Sequence, residues 1–231
     1  MSLPPDPVPP HILFEDNHLL VVEKPPNTPS QADNSGDPDL LGLLKADLKR
    51  RYDKPGNVYL GLVHRLDRPV GGVMVFAKTS KAAARLAEQV RARQLEKVYR
   101  AVVHGVPDLR QGELRHFLVK DLRTNISRVV PADHPGAREA VLNFQVIATR
   151  EPYTLLQIRL QTGRSHQIRL QMAATGHPLY GDQKYGAAQN HPGQQLALWA
   201  VELGFNHPTK QERLRFRSDP PDIDPWSLFI I

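Results

Sequence analysis

Residues 64–67 read His-Arg-Leu-Asp and stand just before Pro69 and the pair Gly71-Gly72. An imidazole, a guanidinium and a carboxylate are thus confined to one short loop between apolar segments, where catalytic groups tend to sit because the flanking strands hold them still. A carboxylate there can act as a nucleophile or take a proton. A plainer use is open as well, with Asp67 capping backbone amides at a strand exit and Arg65 facing water. Periodicity by itself favours the plainer use. The order H-R-L-D is not the H-R-D-L of a kinase catalytic loop, and neither a Gly-rich phosphate loop nor a D-F-G accompanies it, which excludes a kinase.

A second group is Thr162-Gly163-Arg164-Ser165-His166-Gln167-Ile168-Arg169, where a strand pattern gives way to a helical one. Amides at a helix start attract anions, and Arg164, His166 and Arg169 add donors to the same turn. Ser165 serves as an N-cap, with Ile168 and Met172 packing at i, i+4. The spacing fits neither a Walker loop nor a G-x-S-x-G elbow. From Lys78 to Arg100 there are seven basic residues and two acidic ones, which suits either a phosphate backbone or a solvated helix face. Ten histidines come without an H-E-x-x-H, a cysteine or a tight His/carboxylate cluster, so no metal site is expected.

The elements that must position these groups follow from pattern. Ile12–Glu15 and Leu19–Glu23 flank Asp16-Asn17 as a hairpin, and strands are predicted at Val58–Val63, Val73–Ala77 and Lys97–His104. Further strands fall at residues 139–148 and 156–161, at Leu196–Phe205 and at Leu214–Arg217. Helices are predicted from Leu40 to Tyr52, from Thr79 or Ser80 with Ala83, Leu86, Ala87 and Val90 inward, and from about Ser165 to Gly176 with Pro178 beyond. Many strands, three helices and no βαβ rhythm give an α+β fold with a mostly antiparallel sheet. One domain is the simpler organisation: a Pro-rich extended lead over residues 1–10, a body over 11–217, and a tail over 218–231 whose apolar end, Trp226–Ile231, docks on the body.

The chain has 231 residues and 40% apolar content, ample for a core without staples. The absence of cysteine excludes a disulfide scaffold and thiol chemistry. No apolar run approaches the ~20 residues of a membrane helix, and MSLPPDPVPP lacks the charged and apolar regions of a signal peptide. A soluble, cytoplasmic protein is expected, and a net charge of +6 favours a polyanionic partner.

Taken together, ILFEDNHLLVVEKP, HRLDRPVGGVMVFAKTSKAA, KVYRAVVHG and TGRSHQIRLQMAATGHPLYGDQKYG resemble, in order and spacing, the RluA-type pseudouridine synthases, which isomerise uridine to pseudouridine in RNA. The resemblance spans most of residues 11–217. It implies a mixed, mainly antiparallel central sheet flanked by helices, a substrate in structured RNA such as rRNA or tRNA, and no cofactor. It assigns Asp67 as the nucleophile, Tyr99 as the ring that packs on uracil and relays its proton, and Arg169 as the basic partner of Asp67, with Ile168 in the apolar pocket wall. Arg65 would enter the RNA stack as the target base flips out. His64, Arg164, His166, Lys81 and Arg85 are the remaining candidates for RNA contact. A monomer without a membrane partner is expected.

Two departures from the family matter. Val70-Gly71-Gly72 replaces the usual Thr-Ser-Gly, removing two hydroxyls from the nucleophile loop. With eleven residues before Ile12, no N-terminal S4 domain is expected. Two other classes are compatible with the residues: an RNA-binding protein without catalysis, and a hydrolase of nucleosides or RNA using Asp67 with His64 or His166.

Overall fold

The computed structural model describes residues 10–121 and 123–229. They form two compact units, one from the chain up to Gln94 together with Gly204–Phe216, the other from Leu95–Leu203 and the chain from Arg217 onward. Residues 1–9 of the expected 1–10 lead and the final residues 230–231 lie outside the described residues.

In the first unit β1 (His11–Glu15) pairs antiparallel with β2 (Leu19–Lys24), which pairs antiparallel with β4 (Gly71–Ala77). β2 and β4 carry continuous apolar runs because both of their faces are covered, every residue of β4 being buried. The predicted strand Val58–Val63 shrinks to β3, Gly61–Leu62, on the edge of β4. Helix α1 (Leu40–Arg51) starts at Asp39, whose carboxylate accepts the Gly42 amide, and ends in Lys49, Arg50 and Arg51, which complement its dipole. Helix α2 (Ser80–Arg91) is capped by Thr79. Its buried residues are Ala82, Leu86 and Gln89, rather than the Ala83, Ala87 and Val90 expected beside Leu86. Gln89 is inside because its amide exchanges two 2.9 Å hydrogen bonds with the Asn206 backbone.

The second unit is built on a mainly antiparallel sheet. Strands β5 (Glu96–His104), β6 (Gln111–Asp121), β7 (Ile126–Val130), β8 (Arg138–Arg150), β9 (Tyr153–Leu160) and β10 (Leu198–Asn206) are arranged β10-β5-β9-β8-β6-β7. The chain passes from the second unit to the first within β10, and β11 (Arg213–Arg217) pairs with β10. Each of the β5–β9, β9–β8, β8–β6 and β6–β7 pairs is antiparallel, giving the mainly antiparallel α+β fold expected. The apolar tail is docked: Trp226 and Phe229, in a 3-10 turn, pack with Val98, Val102, Leu155, Trp199 and Val201.

The β1–β2 turn is fastened by one carboxylate. Asp16 Oδ1 accepts the amides of His18 and Leu19 at 2.7 and 2.8 Å, and Oδ2 accepts His207 Nε2 at 2.8 Å. His207 Nδ1 accepts the Thr209 and Lys210 amides, so Nε2 carries the proton it donates to Asp16. Burial would raise the Asp16 carboxyl, but these bonds outweigh it and hold it below the usual carboxylate range. Asp16→Ala should therefore cost about 3 kcal/mol by stranding three donors, read as a lower urea midpoint at unchanged slope. A depressed folded value means that this stabilisation is complete above the ordinary carboxylate range and fades as pH falls through the depressed one. The gap between wild type and D16A should narrow in acid.

Candidate active site

Asp67 lies in the loop between β3 and β4 and is half-buried, while Arg65 beside it is exposed. Both flanks of Asp67 are tied down by the end of β2 and the segment that follows it. On one side Ser30 Oγ donates to the Leu66 carbonyl at 2.7 Å and accepts the Leu66 amide at 3.2 Å. On the other, Lys24 Nζ donates to the carbonyls of Arg68 at 3.0 Å and Pro25 at 2.9 Å. The Arg68 side chain adds a bond to the Asn27 carbonyl and an ion pair with Asp37. The Val70 amide closes the turn on the Asp67 carbonyl at 3.0 Å. The loop that lacks the family's two hydroxyls is thus held by Ser30 and Lys24, with Val70 buried and Gly72 adopting a positive φ of 116° opposite Lys24 in the β2–β4 register.

Lys24 is fully buried. Burial pushes its pKa down to about 7; the Asp67 carboxylate opposes that shift and the Arg68 guanidinium adds to it. The sequence reading passed over Lys24 and Ser30. The signal available was a lysine closing the apolar run LLVVEK directly before two prolines. His64 belongs to this clamp too, since its Nε2 accepts the Val75 amide at 3.0 Å.

In the second unit Tyr99 is buried on β5 and Arg169 is buried on α3 (Gln167–Ala174), with Ile168 next to it. Arg169 forks onto Asp182: Nε donates to Oδ2 at 2.8 Å and an Nη donates to Oδ1 at 2.7 Å. Its guanidinium also lies 5.3 Å from the Tyr185 ring centroid. Burial alone would raise the Asp182 carboxyl, but Arg169 and the Tyr185 and Lys184 amides outweigh it and keep it below the usual range. Asp182 was not singled out from sequence, although it stands in the GDQKYG segment that carried part of the resemblance.

The turn before α3 differs from the expected anion cradle. The helix begins two residues later than predicted, with His166 rather than Ser165 at the N-cap, in the left-handed region at φ 55° and without a side-chain cap. Gln167 fastens the turn: its Oε1 accepts Thr162 Oγ1 at 2.8 Å and the Arg164 amide at 2.9 Å, and its Nε2 donates to the Val141 carbonyl. The three donors of that turn each meet a protein partner. His166 Nδ1 and the Tyr185 hydroxyl are 2.7 Å apart, Arg164 Nε donates to the Glu139 carbonyl at 2.8 Å, and Arg169 binds Asp182. In the first unit Lys81 is exposed, and the exposed Arg85 donates to the Pro208 carbonyl at 2.6 Å. Among the described residues no group of three or more His, Asp or Glu side chains could hold a metal ion, and no helix is long and apolar enough to cross a membrane.

Residues 18–174 match the family model described as RNA pseudouridylate synthase. The chain is 35% identical over 227 residues to ribosomal large subunit pseudouridine synthase D of Zymomonas mobilis, covering 94% of this chain and 71% of that protein. It is 34% identical over 235 residues to an uncharacterized RNA pseudouridine synthase of Aquifex aeolicus, covering 96% of this chain and 73% of that one. In fold it is similar to human RNA pseudouridylate synthase domain containing 4, with a TM-score of 0.75 at 24% identity over 91% of this chain and 88% of the other. The expected resemblance holds, and the chain belongs to the RluA-type RNA pseudouridine synthases, isomerases that act on RNA.

Proposed function

We propose that this protein converts a specific uridine in structured RNA, rRNA or tRNA, to pseudouridine in the cytoplasm, with Asp67 as nucleophile on a base flipped out of its helix. The observation that carries the reading is the Asp67 loop. A half-exposed carboxylate has both neighbours fixed by side chains from a separate segment, Ser30 on Leu66 and Lys24 on Arg68. Fixing the flanks while leaving the carboxylate accessible is what a nucleophile requires and a surface cap does not.

The chemistry is an isomerisation. Asp67 adds to C1′ of the ribose or to C6 of the uracil, the N1–C1′ bond breaks, and the base turns. A C5–C1′ bond then forms, the carboxylate leaves, and the C5 proton is lost as N1 gains one. Mass is unchanged and no electron or group donor is consumed. Tyr99 offers a ring face to the uracil and a phenol to relay the proton. Arg169 supplies the positive charge that favours an ionised carboxylate, and Ile168 an apolar wall. Extruding the base costs stacking, which Arg65 offsets by entering the gap. Of the other basic groups, the exposed Lys81, Arg85 and Arg164 fit phosphate contacts. His64 and His166 each commit a ring nitrogen to a protein partner and act as anchors of their loops. That commitment also weighs against a hydrolase with either imidazole as its base.

The substrate is found by treating RNA from cells with and without the protein with a pseudouridine-specific adduct and sequencing it; one uridine should lose its mark. Asp67→Asn should still fold, melting lower than wild type because buried Lys24 loses its anion, and should lose activity by more than about a thousandfold, because an amide is neither anionic nor nucleophilic. Conversion above that level would remove Asp67 from the role.

Arg169→Ala leaves the buried Asp182 carboxylate without its fork and should cost about 3–5 kcal/mol in chemical denaturation, with activity lost. Arg169→Lys keeps the charge without the planar geometry, so both losses should be smaller. Wild-type behaviour of both variants would show that Arg169 is neither structural nor part of the site.

A further inference from the structure

The loop that anchors Arg169 is wound around one buried amide, that of Asn190. Its Nδ2 donates to the Gly186 carbonyl at 2.8 Å and the Leu179 carbonyl at 3.0 Å, with the Asp182 carbonyl at 3.4 Å. Its Oδ1 accepts the Gly181 amide at 2.6 Å and His104 Nε2 at 2.9 Å. Carbonyls can only accept, so the orientation of the amide is settled and His104 Nε2 carries the proton. Gly186 makes the approach possible, since a Cβ there would lie 2.8 Å from Nδ2 and 2.7 Å from Pro178.

These bonds bracket Asp182 on both sides. Between them its carboxylate accepts the Lys184 and Tyr185 amides and the Arg169 fork. Through His104 the same Oδ1 reaches β5, the strand that carries Tyr99. Strand and loop are joined further by the His104 amide on the Pro178 carbonyl at 3.0 Å and the Tyr180 amide on the Val102 carbonyl at 2.9 Å. A fork of two bonds at 2.8 and 2.7 Å passes any shift of Asp182 on to the guanidinium, and a misplacement of about 1 Å at a reacting centre can cost about a hundredfold in rate. We infer that Asn190 is a positioning residue for the isomerisation, setting Arg169 relative to Tyr99 through Asp182 and His104. The inference rests on the reading that these two side chains act at the target uridine. A purely structural asparagine would hold the fold together without affecting the chemical step.

Asn190→Asp keeps an acceptor for Gly181 and His104 and removes the donors to the loop carbonyls. With tRNA and large-subunit rRNA transcripts as probes, its single-turnover rate constant at saturating RNA should fall at least about tenfold. RNA affinity, which phosphate contacts dominate, should change less than about threefold. A merely unstable variant would instead lose amplitude at an unchanged rate constant. Because the effect runs through Arg169, adding Asn190→Asp to Arg169→Lys should slow that variant by less than about threefold more. A wild-type rate constant in Asn190→Asp, or a loss that adds in full to that of Arg169→Lys, would overturn the proposal. Should Asn190→Asp not fold, His104→Phe takes its place, since it keeps a ring against Tyr180 without the donor. It should slow the step by about three- to tenfold, and His104→Gln, which keeps a donor, should not. A wild-type rate constant in His104→Phe would then overturn the proposal. Isomerisation by the wild type on the same transcripts reports separately on the functional reading. If it occurs and the variants match it, only the Asn190 role fails. If the wild type converts no uridine, the reading fails and the Asn190 role with it.

Discussion

A lysine ammonium with no access to water is the constraint around which the Asp67 loop is organised. Taking Lys24 out of solvent costs several kcal/mol unless its protons find acceptors and its charge finds an anion. The fold meets the first need with the Pro25 and Arg68 carbonyls and the second with Asp67. Each requirement restricts a different stretch of chain. The Pro25 contact fixes the exit from β2, the Arg68 contact fixes the far side of the HRLD turn, and the register of Lys24 opposite Gly72 joins both to the β2–β4 ladder. A pKa near 7 shows how closely burial and compensation balance. Ser30 completes the clamp from the near side. A loop built this way has little freedom to move Asp67, as the proposed nucleophilic role requires.

The second unit solves a related problem with a buried ion pair. Arg169 and Asp182 are both inside, and their two short hydrogen bonds, the Lys184 and Tyr185 amides and the Tyr185 ring leave neither charge uncompensated. The pair fixes the plane of the guanidinium. His166, strained into the left-handed region and tied to the Tyr185 hydroxyl, belongs to the same group of contacts, which makes the start of α3 a rigid mount rather than an open anion site.

What was legible in the sequence follows from how each element is buried. β8 and β9 alternate because one face meets the core, and β2 and β4 run apolar because both do, so their positions could be read directly. The β6–β7 hairpin escaped notice because its residues are charged and mostly half-exposed, as in GELRH, leaving no apolar stripe to count. Gln89 sits inside α2 for a hydrogen-bonding reason that periodicity does not carry. The same holds at the site. Asp67, Tyr99 and Arg169 stood out through motif order. Lys24, Ser30 and Asp182 did not, because nothing local distinguishes a buried lysine or carboxylate from a solvated one. Their roles depend on partners far along the chain, 44 residues away for Lys24 and Arg68 and 36 for Ser30 and Leu66.

The isomerisation itself is tested most directly by following the hydrogen on C5 of uridine. Forming a carbon–carbon bond at C5 must expel that hydrogen, whereas hydrolysis of the glycosidic or phosphodiester bond leaves it in place. RNA transcribed with tritium at C5 should release label into water when incubated with the wild-type protein, approaching one equivalent per target site, with the RNA unchanged in length and no free uracil. Free labelled uracil or shortened RNA with the label retained would contradict the account.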